Sequence, residues 1–274
     1  MKFKELFYYW GYRPRTREYT FDLDHFDLPR EGRVDFALWR HPKQQRGELT
    51  QAAVDGLRAY LPAGQVGIDI GAHTGDTTVP MALAAGPSGA VFALEPNPHV
   101  FKVLLANAAL NRTKTNIFPL NLAATEADGE FDFQYSDPGF CNGGYLSGLS
   151  RRRHAHFFTL RVRGVNLYEY LRREFPKYLP RIAYVKIDTE GYDRAVAASL
   201  KQLLIENRPF LRSEIYRRTD REQREAYYRD LRDLGYRIHR FNGEADPLGQ
   251  ELAGSDMMSW EHYDIFAVHE SRDE

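Results

Sequence analysis

Apolar positions along the chain change their period several times, and each change marks an element. Tyr19-x-Phe21-x-Leu23 and Val34-x-Phe36-x-Leu38 alternate on either side of Pro29-Arg30-Glu31-Gly32, which predicts a β-hairpin between Tyr19 and Arg40. From Glu48 to Leu61 the spacing of Leu49, Ala52, Ala53, Leu57 and Tyr60 is helical, and Pro62-Ala63-Gly64 ends it. Short apolar runs then alternate with helical stretches. Strands are predicted at Val66 to Ile70, Ala90 to Leu94 and Asn116 to Ala123, with helices at Thr77 to Ala85 and Val100 to Leu110. That alternation implies an α/β fold of parallel strands joined by right-handed crossovers. A strand at Ala183 to Ile187, a helix at Arg194 to Ile205 and a strand at Phe210 to Ile215 continue it. A charged helix at Glu222 to Leu234 and a closing pair of strands, Tyr236 to Phe241 and Tyr263 to His269, complete the unit.

Residues 125–180 break the rhythm. Phe131 to Tyr135 and Phe157 to Val165 are strand-like, and Leu167 to Phe175 is helical before Pro176. Between the two strands lie Asp137-Pro138-Gly139 and Asn142-Gly143-Gly144, followed by Arg151-Arg152-Arg153-His154-Ala155-His156. A long Gly-rich loop inside a compact domain is commonly functional, so this stretch is the expected substrate lid, and its arginines and histidines suit an anionic acceptor. The domain reading is an extension over 1–46 carrying the hairpin, and a main domain over 47–274 with the lid inserted at about 125–180.

Composition narrows the picture. The chain of 274 residues has a formal net charge of −1, so no global basic field points to nucleic acid. Its single cysteine, Cys141, leaves no partner for an intramolecular disulfide and fits a reducing compartment. Glu5 interrupts the aromatic start Phe3 to Trp10 and Arg13, Arg15 and Arg17 follow, unlike a signal peptide, and no apolar run is long enough to span a bilayer. A cytoplasmic protein without a membrane partner is the expectation. The hairpin and the aromatic start offer a surface for a homodimer.

The chemistry centres on Val66 to Thr78. A strand meets Gly71-Ala72-His73-Thr74-Gly75 and then Asp76-Thr77-Thr78, where a helix is expected to open with free N–H groups and the positive end of its dipole. This is a nucleotide-cofactor corner, yet it lacks the third glycine of the dinucleotide fingerprint and a Walker lysine. Asp69 at the strand's end suits a cationic amino group better than a phosphate, and S-adenosylmethionine carries such a group. Glu95, at the tip of the next strand and about 20 residues past the turn, is placed to accept hydrogen bonds from ribose hydroxyls. Asp69 and Glu95 are expected on one rim.

Three motifs, Ile68-Asp69-Ile70-Gly71-Ala72-His73-Thr74-Gly75, Leu94-Glu95-Pro96-Asn97-Pro98 and Val185-Lys186-Ile187-Asp188-Thr189-Glu190-Gly191, occur in that order. Over roughly residues 47–215 the chain resembles the FkbM family of class I S-adenosylmethionine-dependent methyltransferases, with His73 where the family more often has Asn. The resemblance implies a Rossmann-like, mostly parallel sheet with an antiparallel closing strand, and S-adenosylmethionine as cofactor. It implies methyl transfer to a hydroxyl of a small molecule or sugar-containing metabolite. The cofactor residues expected are Asp69, Gly71, Ala72, His73, Thr74, Gly75, Thr77, Glu95, Pro96, Asn97, Ala123 and Asp188.

Transfer to a hydroxyl wants a base near the methyl group. Asp188 and Glu190 follow a core strand two residues apart and, in an extended segment, would face one side. Either is a candidate base with Lys186 as partner. No metal is expected, although Asp188, Glu190 and Glu214 together could hold a divalent cation. His154 and His156 are alternative bases. N-methylation stays open, as do a nicotinamide-dependent oxidoreductase on the same corner and a cofactor-binding protein without turnover.

Overall fold

A computed structural model describes residues 15–135, 137–141, 143–144 and 158–272. The aromatic start, the three consecutive arginines, His154 and His156 lie outside the described residues.

The hairpin forms as expected, β1 (Phe21–Leu28) pairing antiparallel with β2 (Gly32–Trp39). Its inner face is spent on its own chain: Leu28, Val34 and Phe36 pack with Val54, Val79 and Leu83. Leu23, on the outer strand, is 69% exposed. Helix α1 (Gln51–Tyr60), capped by the Thr50 hydroxyl, leads into β3 (Val66–Ile70). Then follow α2 (Thr78–Ala85), β4 (Ala90–Leu94), α3 (Pro98–Ala109) and β5 (Ile117–Leu120). After the excursion described below come α4 (Leu167–Glu174), β10 (Ile182–Ile187), α5 (Asp193–Ser199), α6 (Lys201–Asn207) and β11 (Phe210–Ile215). The chain closes with α7 (Arg221–Asp233), β12 (Tyr236–Phe241), β13 (Leu248–Glu251) and β14 (Tyr263–His269).

The main sheet has the order β13-β12-β14-β11-β10-β3-β4-β5. Pairs from β5 to β11 are parallel, and β14 runs antiparallel between β11 and β12. Strand order reverses between β3 and β10, and a ligand crevice forms at such a reversal, outside the strands' carboxyl ends. β3 and β4 are buried along their whole length, because helices cover both faces. Val66, Ile68 and Ile70 face one core, whereas the intervening positions face α2. Gly67 lets α2 come close there: a Cβ would stand 2.9 Å from Met81 Cε.

Three expectations are corrected. The strand predicted over Asn116 to Ala123 divides: Asn121 donates its side-chain amide to the carbonyls of Glu95 and Pro96, and Ala123–Ala124 crosses as β6 to a second sheet. The helix predicted over Arg194 to Ile205 breaks at Leu200, whose N–H is shared among the carbonyls of Val196, Ala197 and Ala198. The expected insertion over 125–180 is not one unit. β7 (Gly129–Tyr135), β8 (Gly143–Gly144) and β9 (Phe158–Val165) join β6 in a sheet of order β6-β9-β7-β8, but α4 drives Leu167 and Leu171 into the main core. Among the described residues no helix is long and apolar enough to cross a membrane.

Candidate functional site

A cavity of about 390 Å³ opens at the carboxyl ends of β3, β4 and β10, walled on its outer side by Phe133 and Tyr135 of β7. Two tight turns frame it. In the turn after β3, Gly71 has φ +81° and Gly75 +102°, the left-handed region that glycine enters without cost. A Cβ on Gly71 would stand 1.9 Å from the Asp188 carbonyl oxygen, so the turn after β3 touches the turn after β10 backbone to backbone. His73 also sits at positive φ, +49°. Asn and His are among the few side chains that tolerate that region, so either one fits this turn. The His73 ring packs edge-on against Trp39 of the hairpin, and its Nε2 lies 3.2 Å from the Cys141 carbonyl.

Glu95 is 7% exposed. Its Oε2 accepts the His73 N–H at 3.0 Å and its Oε1 the Asn97 N–H at 2.8 Å, so each oxygen keeps a lone pair for the cavity. Burial raises its pKa, while the His73 charge and the two N–H donors pull the other way. Asn97 caps α3 through its side-chain oxygen and donates its amide to the Phe140 carbonyl at 2.6 Å.

Asp69 does not share that rim. It is fully buried on the face of β3 that looks toward α2. Its Oδ2 accepts the hydroxyls of Thr77 at 2.7 Å and Thr78 at 2.6 Å. Its Oδ1 faces Lys186 Nζ at 3.3 Å, the register partner directly across β10. The reason is alternation: Asp69 precedes the last strand residue, Ile70, and points into the layer, not out of the end. The place expected for a cofactor ammonium is therefore held by a lysine. Thr77, expected to help open α2 toward the cofactor, turns its hydroxyl inward and makes no cap.

Lys186 is 3% exposed and lies 3.2 Å from Asp188 as well as beside Asp69. Burial alone would lower its pKa, but the two carboxylates outweigh burial and raise it, so Lys186 is a fixed cation and no base. Burial likewise pushes Asp188 up, and the Lys186 charge and hydrogen bond outweigh it, holding Asp188 below 3.8. The Asp188 side chain is 45% exposed and lines the cavity. Glu190 lines it too, with a pKa raised by burial and then by the Asp188 charge.

Asp188 and Glu190 do face the same cavity, as expected, but not from an extended segment. Glu190 and Gly191 have φ +55° and +101°, so the chain reverses between them. Asp193 fixes that reversal by accepting the N–H groups of Thr189 at 3.2 Å and Gly191 at 3.1 Å. Glu214 stands apart, 2.9 Å from His262 Nε2. Among the described residues no group of three or more His, Cys, Asp and Glu is placed to hold a metal ion, so Asp188, Glu190 and Glu214 do not assemble as the sequence allowed.

The sequence matches the model of the methyltransferase FkbM domain over residues 69–238, more than half of the chain. The chain belongs to the FkbM methyltransferase family. Its sheet, with one antiparallel strand between the last two parallel ones, is the Rossmann-like sheet of class I methyltransferases. No curated protein matches it. Among solved structures it is similar to the methyltransferase FkbM of Methylobacillus flagellatus, at 13% identity and TM-score 0.44, covering 74% of this chain and 43% of that one. This chain thus spans less than half of that protein. A SAM-dependent O-methyltransferase from Thermotoga maritima aligns at 14% identity and TM-score 0.42 over 90% of this chain and 77% of its own. Fibrillarin from Aeropyrum pernix, in complex with natively bound S-adenosyl-L-methionine, aligns at 14% and 0.41 over 93% and 96%.

Within this FkbM domain the cavity collects Gly71, His73, Glu95, Pro96, Asn97, Ala123, Asp188 and Glu190 from the expected set. Asp69, Ala72, Thr74, Gly75, Thr77 and Lys186 are not on its wall; they build the turns behind it. His154 lies outside the described residues. The sequence reading missed Phe133, Tyr135, Thr189 and Tyr192. Phe133 and Tyr135 share a face of a strand already predicted, but nothing local says that this face folds over a cleft.

Proposed function

We propose that this FkbM domain binds S-adenosylmethionine in the cavity at the ends of β3, β4 and β10 and methylates a hydroxyl oxygen of a small-molecule acceptor. The observation that carries the reading is a pair of unlike carboxylates on one cavity wall, Asp188 held ionised by buried Lys186 and Glu190 with a raised pKa.

The residues present fit the cofactor. Glu95 offers two oxygens to ribose hydroxyls, Leu122, Ala124 and Phe133 offer apolar surface to a base, and Thr189 Oγ1 is buried on the wall without a hydrogen-bond partner. When bound, S-adenosylmethionine supplies an electrophilic methyl group on a sulfonium. Asp188, as a fixed anion, accepts a hydrogen bond from a neighbouring hydroxyl of the acceptor and so orients the reacting one. Glu190, whose pKa burial and then the Asp188 charge raise, takes the proton of the reacting hydroxyl. Lys186 is a positioning residue beneath Asp188. The sheet β6-β9-β7-β8 serves as the cover on the acceptor side, a smaller unit than the expected 125–180 insertion.

The test is methyl transfer from labelled S-adenosylmethionine to a panel of hydroxyl- and amine-bearing acceptors, wild type beside Glu190→Gln. Transfer to a hydroxyl that falls roughly 10²- to 10⁴-fold in the variant, with cofactor affinity kept, supports the assignment. Transfer to amines alone, equal in both proteins, turns the reading to N-methylation.

A further inference from the structure

Behind the turn after β10 lies a second cavity of about 440 Å³, between α5, α7 and the end of β11. Tyr192 lines both cavities, and Glu190 on the first is followed in the chain by Gly191 on the second, so the two spaces meet at this turn. Gly191 packs so closely on the Tyr216 ring that a Cβ would come within 2.9 Å of Tyr216 Cδ1.

The lining of the second cavity is specific. Tyr192, Tyr216 and Tyr227 give it aromatic sides. Glu214, 5% exposed, contributes Oε2, a buried atom with no hydrogen-bond partner, while Oε1 meets His262. Burial, and then the charges of Asp188 and Asp193, push the Glu214 carboxyl up to about 9, so it is protonated at neutral pH and can donate a hydrogen bond. Both arginines on the wall are already committed. Arg194 pairs with Asp230 at 2.6 Å, and Arg224, 3% exposed, donates to the carbonyls of Tyr216, Thr219, Met257, Trp260 and Glu261. Arg217 and Arg218, exposed on the loop after Tyr216, do not line the cavity, and Arg217 acts on Tyr216 and Glu190. Among the described lining residues, therefore, no cation is left to meet a phosphate or carboxylate.

We infer that this second cavity holds the uncharged, hydroxyl-bearing body of the acceptor, whose reacting group passes Tyr192 to reach Asp188 and Glu190. This rests on the methyltransferase reading and deepens it. Aromatic walls cover the apolar faces of such a body, and the unpartnered Glu214 oxygen with the Gln223 side-chain amide N–H meets its hydroxyls. It also departs from the anionic acceptor suggested by the arginine run over 151–153, which lies outside the described residues.

The experiment is ligand-observed NMR with phenyl β-glucoside and phenyl phosphate as probes, on wild type, Ala195→Trp and Glu214→Gln, alongside calorimetric titration of each with S-adenosylhomocysteine. Ala195 lines the second cavity and not the first, so the tryptophan fills one and leaves the other. The expected result is glucoside binding at least about tenfold tighter than phosphate, lost in Ala195→Trp, kept in Glu214→Gln, with S-adenosylhomocysteine affinity unchanged throughout. Glucoside binding that survives Ala195→Trp, a preference for phenyl phosphate, or no glucoside binding overturns the inference. Failure of wild type to bind S-adenosylhomocysteine is a separate result and counts against the methyltransferase reading instead. If Ala195→Trp loses S-adenosylhomocysteine as well, Ala198→Leu on the same wall replaces it under the same criteria.

Discussion

The turns after β3 and after β10 look alike in sequence and do opposite work. Each follows a buried parallel strand, each uses left-handed residues, and each carries an acidic residue beside it. The acid of the first, Asp69, is fully buried and spent on two threonine hydroxyls and a lysine. The acid of the second, Asp188, is bound to the same lysine from the other side and keeps nearly half of its side chain open to the cavity. One carboxylate therefore anchors the charge that the other uses. Position relative to the strand's last residue decides which is which: Asp69 lies before the end and points into a layer, whereas Asp188 lies past it and points out.

The largest effect expected from breaking this pairing is on stability. Asp69→Ala leaves the Lys186 ammonium buried with only Asp188 for company and strands two hydroxyls, a loss of about 3–5 kcal/mol by urea denaturation. A loss below about 1 kcal/mol accompanied by a large drop in cofactor affinity would return Asp69 to the cavity wall. Gly71→Ala forces a Cβ onto the Asp188 carbonyl and an unfavourable φ, so the turns must part. The strain costs roughly 1–3 kcal/mol, and S-adenosylhomocysteine binding should fall with it.

Asp188→Asn should act on pH dependence as well as rate. Glu190 must be ionised to accept a proton, so activity is absent at low pH and appears as pH rises through its pKa, which burial and the Asp188 charge hold above 4.5. Removing the Asp188 charge lowers that pKa, and the acid limb of kcat/KM moves to lower pH even as kcat falls. An upward move would show that Asp188, not Glu190, is the titrating base. The smallest effect is at His73. Asn suits φ +49° at least as well, so His73→Asn should change stability and S-adenosylhomocysteine affinity by no more than about 0.5 kcal/mol in thermal and calorimetric measurements.

Much of the fold was legible because β4 is a continuous apolar run, β3 is apolar but for Gly67 and Asp69, and β11 starts straight after Pro209, and the structure places all three at the predicted residues. The hairpin's alternation was equally clear. What failed was information carried between elements. Asn121 splits a strand by binding carbonyls some 25 residues earlier, and no local pattern announces it. The same holds for the site. Glu95 and Asp188 could be found from their place after strands, but the burial of Asp69 depends on the lysine opposite it in register, which is a property of strand pairing. The same-face argument for Asp188 and Glu190 assumed extended backbone and met two left-handed residues instead.

Calorimetric titration with S-adenosylhomocysteine of wild type, Glu95→Gln and Asp69→Asn tests the division of labour between the turns most directly. Glu95→Gln should bind at least about tenfold more weakly, and Asp69→Asn, in its folded fraction, within about threefold of wild type. Weak binding by Asp69→Asn beside normal binding by Glu95→Gln would contradict it, and would put the cofactor's ammonium where Lys186 now stands.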